Sequence, residues 1–205
     1  APGGRRTSTG AEPHALSRRR DKKEAGAVTW GRTEVPTAVA GGPDGDEFRR
    51  FMSHWPTGVT VVTSLDQQTP VGCTANAVMS ASLTPPLLVV ALAQESTTLR
   101  AIRDTGAFGV NVLGAHQRQL CHRFAHGGQD ERFRDLPYRI HQRLPLLYGV
   151  LAATGCAVRD TARCGDHVLV VGAPQWLTVE ADAPPLVFHR HGYHALIDVT
   201  GEAPC

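Results

Sequence analysis

Thr74-Ala75-Asn76-Ala77, followed by Ser80, Ser82 and Pro85-Pro86-Leu87, sets small polar residues between apolar runs. Such residues leave backbone amides open to a flat ligand, and an asparagine offers a donor and an acceptor to a heterocycle edge. The same composition also describes a small-residue bend in a barrel. Gln94-Glu95-Ser96-Thr97-Thr98 precedes a helical stretch, and hydroxyls with free amides at a helix start suit a phosphate. These residues also read as a plain N-cap, and the charge of Glu95 opposes a phosphate. Gly165-Asp166-His167 opens a strand. The Gly-Asp pair turns the chain, and the histidine can orient a cofactor, move a proton, or sit hydrogen-bonded at the surface.

In His189-Arg190-His191-Gly192-Tyr193-His194, His189 and His191 are predicted on one face of a strand, where with His194 they can in principle bind a metal. No acid or cysteine stands nearby, so no metal is expected; Arg190 and Tyr193 suit a phosphate and an aromatic ring. Arg123-Phe124-Ala125 ends a helix, with Phe124 core by spacing and Arg123 either an anion contact or a solvated cap. Cys73, Cys121, Cys156 and Cys164 read as small buried hydrophobes, none of them a nucleophile.

The elements that must position these residues are mostly strands. The stretch 46–55 carries Phe48, Phe51, Met52 and Trp55 at the spacing of one helix face, and Pro56 stops it. Stretches 58–63, 87–93, 107–113, 151–160, 167–175 and 186–191 read as strands, rich in β-branched or apolar residues and bounded by turn signals. Ser96 and Thr97 cap a short helix that ends at Gly106. Residues 116–125 read as a helix and 127–145 as polar and loop-rich. At least six strands with two or three short helices predict a mainly β, closed or partly closed antiparallel barrel.

The 205-residue chain is 41% hydrophobic and 20% charged, enough to bury a core, and its net charge of +2 excludes a polycation built for nucleic acid. Residues 1–45 hold the basic excess, including the run from Arg18 to Lys23, and read as a disordered or loosely packed extension. The ordered domain is expected over 46–196, with a short tail at 197–205. Five widely spaced cysteines without a CxxC pair argue against a disulfide framework and for reduced thiols in the cytoplasm. No apolar run is long enough to span a bilayer as a helix, and the N-terminal stretch has charge without an apolar segment, so no membrane partner or secretory signal is expected. With Ala as residue 1, a trimmed or processed chain is expected. No G-x-G-x-x-G follows a strand, and no phosphate-binding P-loop, G-x-S-x-G elbow or H-E-x-x-H helix occurs. A nucleotide must therefore bind through another architecture.

The order of these stretches is more specific than any one of them. Pro56–Thr63 (PTGVTVVT), Gly72–Leu92 (GCTANAVMSASLTPPLLVVAL), Glu95–Ile102 (ESTTLRAI), Gly106–Leu113 (GAFGVNVL), Arg123–Ala125 (RFA), Gly165–His167 (GDH) and Pro185–His194 (PLVFHRHGYH) follow one another. In that order they resemble the flavin reductase components of two-component flavin-dependent monooxygenases, over about 150 residues. The resemblance implies an FMN-binding split β-barrel of Greek-key type with a few short helices, assembled as a homodimer with flavin near the subunit interface.

It implies an NAD(P)H:flavin oxidoreductase that passes hydride from NADH to flavin and supplies reduced flavin to a separate oxygenase. NADH is expected over NADPH, and FAD by family usage, with FMN left open. The alternative on the same barrel is a flavin-binding module or an oxidase that keeps its flavin. By position, Thr57 and Gly58 then lie near the isoalloxazine, and Thr74, Ala75 and Asn76 contact it through backbone and side chain. Ser80 and Ser82 support the ring or ribityl chain. Ser96 and Thr98 approach the phosphate, Arg123 and Phe124 flank the flavin, and His167 and Tyr193 face the nicotinamide. Three positions depart from the family pattern: Ala77 where serine is common, Gln94 where a basic residue is common, and Glu95 where a neutral one is common.

Overall fold

The computed structural model describes residues 34–35, 41–180 and 182–196. The expected basic extension and C-terminal tail lie outside the described residues, except for residues 34–35 and 41–45. Chain order gives β1 (Glu34–Val35), α1 (Gly45–Met52), β2 (Thr57–Gly58), β3 (Thr60–Asp66), β4 (Thr69–Ala75), β5 (Val78–Leu83) and β6 (Pro86–Ala93). Then come α2 (Thr97–Thr105), β7 (Ala107–Val112), α3 (Arg118–His126), α4 (Gln129–Arg132), β8 (Tyr138–His141) and β9 (Leu144–Leu147). The long strands β10 (Ala152–Cys164) and β11 (His167–Val179), and the short β12 (Leu186–His189) and β13 (Gly192–Ala195), complete it.

The main sheet runs β4-β3-β7-β10-β11-β6-β5, with β1 added alongside β10. Its two terminal strands, β4 and β5, are joined by only Asn76 and Ala77. A two-residue link cannot cross a flat seven-strand sheet, where neighbouring strands lie about 4.8 Å apart. The sheet must therefore curl until its ends meet, which makes the barrel. Val62, Val90, Leu99, Phe108, Val110 and Val170 fill its interior. Gly172 on β11 makes room for the largest of them, because a Cβ there would stand 2.5 Å from the Phe108 ring. A second core lies outside the barrel wall, where α3 and β9 cover β3: Val61, Cys121, Phe124, Leu146, Leu147 and Leu186. Residues Thr60–Ser64 of β3 are consequently buried on both faces, which explains the continuous β-branched run Thr60–Thr63.

The predicted helix over 97–105 forms with both caps: the Ser96 hydroxyl accepts from Leu99 N–H, and Gly106 closes the helix at φ 66°. Helix α1 also forms, closed by an Asp44–Glu47 capping box, but its apolar face is not buried. Phe51 is 72% exposed and Trp55 67%. The segment 127–145 is less of a loop than predicted. It holds α4 and the β8–β9 hairpin, whose turn at Gln142-Arg143 has positive φ at both residues. Buried Asn111 ties that hairpin down, accepting from Leu147 N–H at 3.0 Å and donating to the Val61 carbonyl at 3.2 Å.

Candidate functional site

Both ends of the β4–β5 link approach one rim of the barrel. Ala91 N–H donates to the Ala77 carbonyl at 2.9 Å, and two residues on Ala93 pairs with His167 at the start of β11. The link and the Gly165-Asp166-His167 turn therefore share a rim. The start of α2 is fastened there too: Gln94 N–H donates to the Asp166 carbonyl, and the Gln94 amide to the Gly165 carbonyl. Where the family commonly has a basic residue, this chain uses its amide to dock the turn.

A cavity of about 540 Å³ opens beside the link. Val59 and Phe188 give it apolar walls, while Thr74, Asn76 and Tyr193 bring polar atoms to it. Asn76 is exposed, and its amide donates to the Thr57 hydroxyl at 3.2 Å, linking β2 to the barrel rim. Thr74 donates to the Cys121 carbonyl at 2.7 Å, which fixes α3 against β4. The Cys121 thiol and the Tyr193 hydroxyl are 3.2 Å apart, and the Arg118 guanidinium lies 5.6 Å over the Tyr193 ring. Partial burial and the Cys121 contact push the Tyr193 phenol up to about 12, so it stays a neutral hydrogen-bonding group.

Four of the expected site residues thus meet: Thr57, Thr74, Asn76 and Tyr193. Gly58 adjoins them on β2, and a Cβ there would meet nothing within 4 Å; packing within the chain does not demand a glycine, and open space for a ligand lies there. Ala75 points into the barrel core and offers only its backbone. Ser80 and Ser82 lie on β5, separated by a bulge against Leu88 and Leu87. His167 stands exposed on the same rim, its Nδ1 2.8 Å from the Asp166 carboxylate. That hydrogen bond, and the imidazole's charge, hold the Asp166 carboxyl below its ordinary range.

Other expectations meet a different geometry. The Ser96 hydroxyl is engaged as the cap of α2. Thr98 is fully buried with the Cys73 thiol beside it, because it lies on the inner face of α2. Phe124 has no exposed surface and packs edge-on against Phe133 at 5.0 Å. Arg123 clamps the Glu131 and Arg134 carbonyls, holding α4 in place. Neither is presented to the cavity. His191 is not on a strand face with His189: it sits in the β12–β13 turn at φ 60°. The residues that the sequence reading did not single out are His122 and His126 of α3, which also line the cavity with His191. Their i, i+4 spacing beside Cys121 was the available signal.

Burial raises the Cys73 and Cys121 thiols and carries Cys156 up to about 11, so these three stay protonated at neutral pH; Cys121 and Cys156 are buried as expected, whereas Cys73 and Cys164 are only partly so. No group of three or more His, Cys, Asp or Glu among the described residues is arranged to hold a metal, and none of the described helices is long and apolar enough to cross a membrane.

A slot with apolar walls, amide and hydroxyl donors on one edge and a glycine facing open space fits a planar heterocycle such as flavin. Comparison with known proteins agrees. The family model described as flavin reductase like domain matches residues 52–196, and the chain belongs to that family. It is 37% identical over 155 residues to a flavin reductase (NADH) of Kitasatospora aureofaciens, covering 73% of this chain and 81% of that one. It is 38% identical over 150 residues to the reductase component of a 4-nitrophenol 4-monooxygenase/4-nitrocatechol 2-monooxygenase of Rhodococcus opacus, covering 72% and 78%. Among solved structures, the NADH:FAD oxidoreductase of Streptomyces globisporus in complex with NAD and FAD fragments superposes with a TM-score of 0.72 at 27% identity, covering 78% of this chain and 96% of that one. The fold is thus the mainly β flavin reductase fold expected from the sequence.

Proposed function

We propose that this chain is an NADH-dependent flavin reductase that supplies reduced flavin to a separate oxygenase. The observation that carries the reading is the cavity where Thr57, Thr74, Asn76 and Tyr193 converge on the rim that also bears His167. A bound flavin would supply the electron-accepting chemistry, taking hydride from C4 of the reduced nicotinamide. The chain's part is to hold two rings in contact and keep water from between them. Asn76 and Thr57 hold the flavin edge, Tyr193 and Phe188 wall the slot, and His167, oriented by Asp166, positions the nicotinamide. Relatives named as NADH enzymes, together with one solved with NAD and FAD fragments, support NADH as donor, and a relative named as a reductase component supports the oxygenase partner.

A homodimer completes the reading. The exposed Phe48 and Phe51 of α1, and Trp55 just beyond it, belong to a segment fastened to the cavity's own turn through Arg190 N–H to the Ser53 carbonyl at 2.8 Å. A second copy covering that face would lie against the site. The four described cysteines are free thiols, which supports a reducing, cytoplasmic setting.

The test is loss of NADH absorbance with purified protein and added flavin in air. Loss that requires added FAD or FMN establishes the reductase, and exchanging NADH for NADPH ranks the donors. No loss in any pairing with folded protein overturns it.

A further inference from the structure

Phe188, Arg118 and Cys121 together hold the Tyr193 side chain. Phe188 pairs with it across β12 and β13, with ring centroids 5.4 Å apart. The Arg118 guanidinium stands 5.6 Å from the centre of its ring. The Cys121 thiol donates to its phenolic oxygen at 3.2 Å. Cys121 is itself fixed, because the Thr74 hydroxyl donates to its carbonyl at 2.7 Å. Thr74 and Tyr193 bring the two hydroxyl groups that line the cavity, and their hydrogens differ. That of Thr74 is committed to the Cys121 carbonyl. That of Tyr193 has no mapped acceptor among the described residues, since the phenol's one mapped bond is the one it accepts from the thiol.

We propose that Cys121 is a positioning residue of this site: by donating to the Tyr193 oxygen it leaves the phenol hydrogen to the cavity, where it meets a carbonyl of the bound ring system. The inference rests on the flavin reductase reading of the same cavity. A phenol oxygen carries one hydrogen and accepts at its lone pairs. A donor seated on the oxygen from one side leaves the hydrogen to the other. Sulfur is a weak acceptor, so the thiol does not draw that hydrogen back. Burial keeps both protons in place through the neutral range, raising the Cys121 thiol and the Tyr193 phenol alike.

The flavin ring and the nicotinamide carboxamide both carry carbonyl oxygens, so either can accept from the phenol. Cys121 has no exposed surface and reaches such a ligand through Tyr193. Its influence on binding must therefore vanish once the phenol hydroxyl is gone. A cysteine that served only to pack α3 against β4 would weaken binding equally with tyrosine or phenylalanine at position 193. That difference separates positioning from packing.

The test is a double-mutant cycle on the full chain: wild type, Cys121→Ala, Tyr193→Phe and the two combined. Should alanine at 121 fail to fold, Cys121→Val fills the thiol's volume without a donor. Affinity for FMN and FAD is read by flavin fluorescence, the KM for NADH by its absorbance, and the thiol by its S–H stretching band in the infrared. Tyr193→Phe should weaken one of the two constants by roughly tenfold, and Cys121→Ala the same constant by about threefold. The combined variant should be no weaker than Tyr193→Phe alone. A loss of flavin affinity assigns the carbonyl to the flavin; a raised KM for NADH with flavin affinity intact assigns it to the nicotinamide carboxamide. The S–H band that Cys121→Ala removes should move to higher frequency in Tyr193→Phe, because the thiol loses its acceptor. Unchanged constants in Tyr193→Phe, an equal Cys121→Ala loss in both backgrounds, or an S–H band indifferent to Tyr193→Phe overturns the proposal and leaves the reductase reading standing. A wild type that binds no flavin and oxidises no NADH removes the reductase reading, and the proposal with it.

Discussion

Two cavities mark opposite characters of this barrel. The one at the β4–β5 link measures about 540 Å³, and the other, between the Gln67-Gln68 and Gln142-Arg143 turns, about 690 Å³. The larger is walled by two hairpin turns and the end of α2, with positive φ at all four turn residues. Thr105 at the end of α2 meets the Ser64 hydroxyl at 3.1 Å, but none of the side chains of Gln67, Gln68, Gln142 and Arg143 has a mapped hydrogen bond among the described residues. The smaller draws its walls from β2–β4, α3 and β12–β13, and its polar atoms are fixed by hydrogen bonds between those elements. Volume therefore says little about function here. Preorganisation by several independent elements distinguishes the site.

The sharpest way to break that comparison is at the smaller cavity. Asn76→Ala removes an exposed amide whose partner is Thr57, so the fold survives while a flavin-edge contact is lost. The expected loss in kcat/KM for flavin is about tenfold to a hundredfold, the worth of one or two hydrogen bonds at about 1–3 kcal/mol each. Wild-type kinetics would place the flavin elsewhere. Next in size is Asn111→Ala. Asn111 is 1% exposed and serves Leu147, Val61 and Thr63 at once. Leaving those groups unpaired costs about 2–3 kcal/mol of stability, read as a lower denaturant midpoint. Because this network anchors the hairpin beside the larger cavity, turnover of the remaining folded protein should hold. His167→Ala should raise the KM for NADH by roughly tenfold and leave flavin binding alone, since its one mapped partner is Asp166.

Most of the barrel was legible because its rules are local. The run Leu87–Ala93 and the Ser96 and Gly106 caps specify their elements without help, and β6 and α2 appear where expected. The β8–β9 hairpin was not legible. Its turn is Gln142-Arg143 rather than a glycine or asparagine pair, and the Asn111 side chain, 36 residues upstream of the Leu147 N–H that it accepts from, holds it. The site was legible only in part. Thr57, Thr74, Asn76 and Tyr193 carry their roles in residue type and order. Phe124 and Thr98 resemble contacts in the sequence, yet their helices turn them inward. The exposed face of α1 has the period of a buried helix, and period reports that a face is apolar, not which surface covers it.

The titration of Tyr193 sharpens the comparison without disturbing the fold. Its phenol is raised from the ordinary 10 to about 12 by partial burial first and by Cys121 second. A raised phenol favours the protonated form in the folded state, so its contribution is complete below about pH 10 and declines as pH rises toward 12. The ultraviolet phenolate band should show one late-titrating tyrosine that Tyr193→Phe removes. Cys121→Ala should bring that titration back toward 10.

The smallest expected effect is at the larger cavity. Gln142→Ala and Arg143→Gly alter turn residues that border it, and neither residue hydrogen-bonds to the elements of the smaller one. Arg143 has a φ of 68°, where glycine is at ease, so Arg143→Gly should be neutral or slightly stabilising. Both variants should keep kcat and both KM values within about twofold, the scale of ordinary surface substitutions. A tenfold rise in either KM from these changes would mean that turn side chains without a supporting network can hold a substrate as well as the braced residues around Asn76, and preorganisation would no longer explain which cavity works.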